Sequence, residues 1–376
     1  MVLLSVNAGS SSLKVSAFDR HAPHTPQATL SIEDIGVADV TPESAIARVQ
    51  QWIHDELSIQ PDQIEAIGHR VVHGGERYTS AERITEDVLH YLESITPLAP
   101  NHMPAAVASI NAFMSAYPEA QHVACFDTSF FHDIPEIAKT LPIPLDLQKE
   151  SGIRRYGFHG LSYESLLASF NEHEGTTARN GRVIMAHLGS GASVAACKNG
   201  QPIDMSMGFT PVSGIMMSTR SGDLEPGIMT YLETEKGMSP QVVSDLLTRH
   251  SGLLGVSGTT ADMHALLDSQ NENPNAKLAI ELFCYKIKKT IGAYAAALGG
   301  VDSIIFSGGI GERSAEIRAR VCEGLEFLGI HIDEQRNDNN ERLISSDRSN
   351  VGVHVIPARE DDTIMTQTLQ LITKET

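Results

Sequence analysis

Apolar and polar positions fall into blocks along this chain, and one block occurs twice. Val2-Leu3-Leu4-Ser5-Val6 is a strand-like run, Asn7-Ala8-Gly9-Ser10-Ser11-Ser12 a turn of small residues, and Leu13-Lys14-Val15-Ser16-Ala17-Phe18 a second run. A fainter copy follows at Val183-Ile184-Met185-Ala186, His187-Leu188-Gly189-Ser190-Gly191-Ala192-Ser193 and Val194-Ala195-Ala196, with His187 where Asn7 stood. Turns of Gly and Ser let a backbone approach an anion and offer N–H and hydroxyl donors to it. One such turn says little; two facing copies point to a duplicated fold that grips phosphate.

The remaining periodicity fills in the elements. Residues 1–20 read as a hairpin, Pro42–Trp52 as a helix leading into a strand that ends at Ile67-Gly68-His69-Arg70-Val71-Val72-His73-Gly74-Gly75. Helices are expected over 86–96 and 104–116, the second with Pro104 in its first turn. His122–Phe126 reads as a short strand that delivers Asp127 at its end, where open α/β sheets gather ligand groups. The prolines of Leu141-Pro142-Ile143-Pro144 mark a boundary or linker. The second half repeats the grammar: a hairpin over 181–205, helices over 239–249 and 274–298, and a strand at 303–306 entering the turn Ser307–Glu312. A helix then starts near Ser314, a strand covers 352–357, and a C-terminal helix is expected to pack back on the first domain. The division this implies is 1–147 together with 359–376, and a nucleotide-binding domain over 148–358.

Composition narrows the class. A chain of 376 residues is long for one core and suits two domains. Hydrophobic content of 41% and charged content of 20% are those of a soluble globular protein. A net charge of −19 argues against nucleic acid or an anionic membrane as partner. Four scattered cysteines show no metal-ligand spacing. The N-terminus has no basic stretch ahead of an apolar one, and no uncharged apolar run spans a bilayer, so the expectation is a cytoplasmic protein.

Phosphoryl transfer asks for alignment, a divalent metal, and cations where charge spreads over the equatorial oxygens. Arg70 and Arg220 both lie in glycine-bearing, largely uncharged settings suited to an anion clamp. His159 stands between small residues in Tyr156-Gly157-Phe158-His159-Gly160, and His187 is placed to face a phosphate. Asp127 is open to three roles: orienting a nucleophile, holding Mg²⁺ through water, or capping the next helix.

Eight blocks together resemble the acetate kinases, in that family's order and over nearly the whole chain. They are Asn7–Lys14, Gly68–Gly75, Phe126–His132, Tyr156–Gly160, His187–Ser193, Met207–Pro211, Thr219–Asp223 and Phe306–Glu312. The resemblance implies duplicated α/β domains of the ribonuclease H-like (actin, Hsp70 and sugar kinase) kind with the active-site cleft between them. It implies reversible, direct in-line transfer from ATP to acetate, giving acetyl phosphate and ADP, in a homodimer. Arg70 and Arg220 would bracket the phosphoryl group and the carboxylate, His159 would steady the transition state, and Asp127 would place the acceptor or the metal. Asn7 and Glu360 would sit around Mg²⁺ or Mn²⁺, with Ser10, Ser12 and Lys14 near the phosphates. His187, Gly189, Ser190 and Gly191 would hold the β-phosphate; Asp262, His264, Gly308, Gly309, Ile310 and Gly311 would meet adenosine. Val72, Asn101, Phe158 and Pro211 would line the methyl pocket.

The chain departs from the family pattern at four places. Ser190 replaces an Asn, so the phosphate loop lacks an amide side chain. His264 replaces an Arg, and neutral imidazole is no substitute for a guanidinium fork. Asn101 replaces a Leu and makes the methyl pocket more polar. Glu360 lies in a less family-like stretch, Ala358-Arg359-Glu360-Asp361-Asp362. Propionate or another short carboxylate as acceptor, and pyrophosphate or another nucleoside triphosphate as donor, are the alternatives. A non-catalytic, actin-like nucleotide switch is the alternative of a different class. A sugar kinase would need a hydroxyl-reading pocket, which Val72, Phe158 and Pro211 do not offer.

Overall fold

The computed structural model describes residues 1–9, 12–33, 41–175 and 180–374. They form two compact units: unit 1 is Met1–His132, Phe158–Ser165 and Arg359–Thr376, and unit 2 is Asp133–Gly157 and Leu166–Ala358. The break falls after His132 rather than at residue 147, and the prolines of 141–144 are not a linker. Gln148 staples that segment inside unit 2, accepting from the Leu141 N–H at 3.0 Å and donating to the Leu141 and Ile143 carbonyls at 2.8 Å each.

Each unit holds one mixed sheet, and the two sheets share a plan. In unit 1, β1 (Val2–Ala8), β2 (Leu13–Asp19) and β3 (Ala22–Ile32) form an antiparallel meander. β4 (Ile64–Val71) joins β1 in parallel, β6 (Gln121–Phe126) joins β4, and the short β5 (Glu82–Arg83) closes the order β3-β2-β1-β4-β6-β5. Unit 2 repeats the meander with β7 (Arg182–Leu188), β8 (Ala192–Lys198) and β9 (Gln201–Met205). β10 (Ser303–Ser307) and β11 (Gly352–Val355) again add in parallel, in the order β11-β10-β7-β8-β9. The duplication read from two Gly/Ser turns is therefore a duplication of whole sheets.

Period-two alternation sends neighbouring apolar residues of unit 1 to opposite faces, and both faces are covered. Leu4, Val6, Val15 and Ile67 pack with Phe113 and Ile46 from the helices Met103–Ala116 and Pro42–Trp52. Leu3, Phe18, Ala66 and Val123 pack on the other side with Ile364 and Met365 of the C-terminal helix Glu360–Lys374. That helix crosses β4 at Gly68, where a β-carbon would stand 2.4 Å from Thr368 Oγ1, so only glycine admits the contact. In unit 2 the helix Pro274–Leu298 buries Ile280, Phe283, Ile287 and Ile291 at helical spacing.

Three elements differ from expectation. β3 was absent from the sequence reading because Pro23 and Pro26 interrupt it; as the edge strand it has no outer partner to lose, and its register shifts near Pro26. The helix Gly160–Glu174 buries residues around most of its circumference and so carries little periodic signal. The segment after Ser307 is a short helix, Gly308–Arg313, rather than an open turn. Among the described residues no helix is long and apolar enough to cross a membrane.

Candidate active site

Three parallel strands of unit 1 end together, and their ends gather the candidate residues of that unit. Register sets Val71 of β4 beside Phe126 of β6 and Val6 of β1 beside His69 of β4. Asn7, Arg70 and Asp127 consequently emerge side by side at the carboxyl edge, the usual ligand edge of such sheets. Arg70 grips Asp127 with two parallel bonds, Nε to Oδ1 at 3.0 Å and NH2 to Oδ2 at 2.7 Å. Its NH1 donates to Asn7 Oδ1 at 3.0 Å. Asn7 Nδ2 then donates to Glu360 Oε2 at 3.0 Å, and that oxygen lies 3.7 Å from Arg70 NH1.

The Asp127 side chain is 2% exposed and that of Arg70 18%. Burial pushes the Asp127 carboxyl above its usual range, with the Arg70 guanidinium pulling the other way. Burial also opposes the Arg70 charge, but Asp127 and Glu360 outweigh it and hold the guanidinium more firmly protonated than a free arginine. Asp127 and Asn7 engage three of the five guanidinium N–H groups. A guanidinium held in this way is the group that accommodates a carboxylate in bidentate fashion.

His159 joins this cluster through its backbone. Among the described residues it is one of four non-glycine residues with positive φ, at 60°, a conformation that costs an L-residue about 1–2 kcal/mol. Its N–H bonds the Asp127 carboxylate, the next N–H, of Gly160, donates to the Asp127 carbonyl at 2.9 Å, and Tyr163 N–H donates to the His159 carbonyl at 3.0 Å. A β-carbon on Gly160 would come within 2.1 Å of that Asp127 carbonyl, so glycine is required for the approach. Val72 and Phe158 are buried in the same unit. His73 sets its ring edge-on to Phe158, 5.5 Å away, and burial lowers its pKa to about 4, so it is a neutral wall at physiological pH.

Other unit 1 candidates take structural partners. Lys14 pairs with Asp361 at 2.6 Å rather than standing free for phosphate, and Asp361 also accepts from Ser5 Oγ at 3.1 Å and Ser16 Oγ at 3.2 Å. This buried carboxylate, which sequence reasoning passed over, ties the start of the C-terminal helix to β1 and β2 and so sets Glu360 against Asn7. The Ser12 carbonyl accepts from Gly9 N–H at 2.8 Å. Ser10 lies outside the described residues. Asn101 is half-buried just ahead of the helix Met103–Ala116.

Unit 2 supplies a cavity of about 940 Å³, within the range of small-molecule sites. Of the residues expected near nucleotide, Gly189, Ser190, Asp262, His264, Gly309 and Ile310 line it; Ser218, Thr219, Arg313 and Glu316 line it as well. Parallel pairing of Ser307 with His187 brings the 189–191 loop beside the 308–311 segment. Two glycines there are structural. Gly308 N–H is taken by Glu312 Oε1 at 2.9 Å, and the Gly311 carbonyl accepts from the fully buried Arg318 at 2.8 Å. Gly191 closes the loop by accepting from Gly189 N–H at 3.0 Å. Asp262 caps the helix Met263–Ser269 through Ala265 N–H at 2.8 Å, and His264 Nδ1 sits 3.1 Å from Asp268 at the cavity mouth. Arg220 NH1 donates to the Pro211 carbonyl at 2.9 Å, bringing those two candidates together. Arg313 had a signal in the sequence, since it directly follows the Gly-rich segment; Thr219 sat unread inside the Thr219–Asp223 block.

The pattern of the Acetokinase family matches residues 2–366. An acetate kinase of Rhodopseudomonas palustris (strain TIE-1) is 41% identical over 96% of each chain. A propionate kinase of Citrobacter rodentium is 39% identical, covering 100% of this chain and 98% of its own. The crystal structure of Porphyromonas gingivalis acetate kinase superposes with a TM-score of 0.90 at 36% identity, over 99% of both chains. The duplicated α/β fold implied by the sequence is the one observed, and the chain belongs to the acetokinase family.

Proposed function

We propose that this protein transfers the γ-phosphoryl group of ATP reversibly to acetate, giving acetyl phosphate and ADP. The observation that carries the proposal is Arg70, its guanidinium oriented at the carboxyl edge of the sheet by Asp127 and Asn7. That guanidinium holds the acetate carboxylate. Acetate is already anionic at neutral pH, so one carboxylate oxygen attacks the γ-phosphorus while the bond to the ADP oxygen breaks, and no base is needed. Asp127 therefore serves by orienting Arg70 and the His159 backbone rather than by taking a proton. Arg220 and His159 offset the charge spread over the equatorial oxygens. Val72 and Phe158, buried in unit 1, receive the methyl group.

The 940 Å³ cavity, with Ala261, Met263, Leu267 and Ile310 among its apolar walls, has room for a base and ribose that pyrophosphate would leave unused, which favours ATP. No group of three or more His, Cys, Asp or Glu suited to a metal occurs among the described residues. Mg²⁺ bound with a nucleotide needs less: one or two protein oxygens beside phosphate and water. The adjacent Glu360 carboxylate and Asn7 amide fit that requirement and would hold it. When bound, the metal neutralises phosphate charge.

A propionate kinase among the relatives keeps propionate as the second reading, since one methylene discriminates by only about 1–3 kcal/mol. We place the protein in the cytoplasm, supported by four free cysteines, all buried. We also infer a homodimer, supported by Ile228, Met229, Tyr231 and Val242, exposed on two neighbouring helices. The test of function is a hydroxylamine trap for acyl phosphate with acetate, propionate and butyrate against ATP, GTP and pyrophosphate. Acetate with ATP is expected to give the fastest hydroxamate formation; no hydroxamate from any pair would reject the kinase reading.

A further inference from the structure

The Glu312 carboxylate lies where donors from two separate segments of unit 2 converge. Its Oε1 accepts from Gly308 N–H at 2.9 Å, from Ser307 Oγ at 3.3 Å, and from Ala358 N–H at 3.2 Å. The first two donors open the segment whose next residues, Gly309 and Ile310, line the nucleotide cavity. The third belongs to the last residue of unit 2, after which the chain enters unit 1 at Arg359 and Glu360. Glu360 is bonded to Asn7 and stands 3.7 Å from Arg70.

The aim of Glu312 is itself fixed. Arg318, fully buried, donates from NH1 to the Glu312 carbonyl at 3.0 Å and the Gly311 carbonyl at 2.8 Å, while its Nε donates to Asn337 Oδ1 at 2.8 Å. The backbone that carries the carboxylate is thus pinned from behind. One carboxylate oxygen accepts both backbone N–H groups, so shifts at Gly308 and Ala358 are tied to it. We propose that Glu312 is a positioning residue, which makes the placement of Glu360 depend on nucleotide in the unit 2 cavity. It touches neither acceptor nor phosphorus. The inference rests on the acetate kinase reading above, and adds that donor and acceptor binding are coupled through this side chain.

Calorimetric titration of ADP into the full-length protein, with and without saturating acetate, measures that coupling as the ratio of the two dissociation constants. We expect the wild-type ratio to depart from unity by about five-fold or more, the lower end of ordinary coupling between sites. Glu312→Ala should bring it close to one. Glu312→Gln, which retains an acceptor for both N–H groups, should keep most of it. Should Glu312→Ala fail to fold, Glu312→Asp keeps the charge but loses the reach, and the ratio should fall there too. A purely structural role would lower the melting temperature of these variants and leave the ratio intact, which overturns the inference. A wild-type ratio of one overturns it as well. Wild-type protein that binds neither ADP nor acetate overturns the functional reading beneath it.

Discussion

In the proposed reaction most of the chemistry turns on Arg70 and Asp127, and their burial gives each a structural duty also. Removing Asp127 leaves a guanidinium in a nearly closed site, which typically costs about 3–5 kcal/mol. Asp127→Ala should therefore lower the denaturation midpoint as well as turnover. Arg70→Ala/Asp127→Ala should be less destabilised than the two single changes summed, yet inactive; strict additivity in denaturant titrations would contradict the pairing. His159 separates the two duties differently. Its left-handed backbone predicts that His159→Gly is more stable than His159→Ala by about 1 kcal/mol, although both lose turnover. Equal stability of the two variants would show that the backbone is not strained. The identities of Arg70, Asp127 and His159 were legible in the sequence because each stands at a strand end or between glycines. Their mutual bonds were not, since Arg70 and Asp127 meet only through the pairing of β4 with β6. Lys14 was legible as a cation near a phosphate turn, but Asp361, far away in sequence, decides where it points.

Strands with continuous apolar runs were readable because burial on both faces removes polar residues from them. Where an element is an edge, is buried all round, or is short, the pattern fades, as in β3, the helix Gly160–Glu174 and the segment Gly308–Arg313. Strand burial also sets a pH response. His354 on β11 packs 4.9 Å from the Phe170 ring, and burial, with Arg342 adding to it, lowers its pKa to about 4. An unfolded histidine titrates near 6.5. Below that pH the unfolded chain holds the extra proton, so this contribution is complete above about 6.5 and is lost as pH falls toward 4. His354→Leu should therefore flatten the stability profile between those values by about 1.4 kcal/mol per pH unit, as read from denaturant midpoints. An unchanged slope would mean that His354 is protonated in the folded state. The site is untouched by this substitution, so turnover at pH 7.5 should stay near wild type.

Across the whole molecule the chemistry is divided by unit. Asn7, Arg70, Asp127, His159 and Glu360 belong to unit 1, and the cavity proposed for nucleotide belongs to unit 2. A chain of net charge −19 repels anionic substrates in bulk, so its affinity for them must come from these few arginines and backbone donors. The division means that Arg70→Ala should abolish transfer without removing nucleotide binding. Phosphorus-31 NMR of the protein with acetate, Mg²⁺ and ATP tests this most directly, with ADP binding followed in parallel by calorimetry. Acetyl phosphate and ADP should appear together in wild type. No acetyl phosphate above background is expected in Arg70→Ala, which should still bind ADP with nearly wild-type affinity. Acetyl phosphate formed at wild-type rate by the variant, or none formed by wild type, would contradict the proposal.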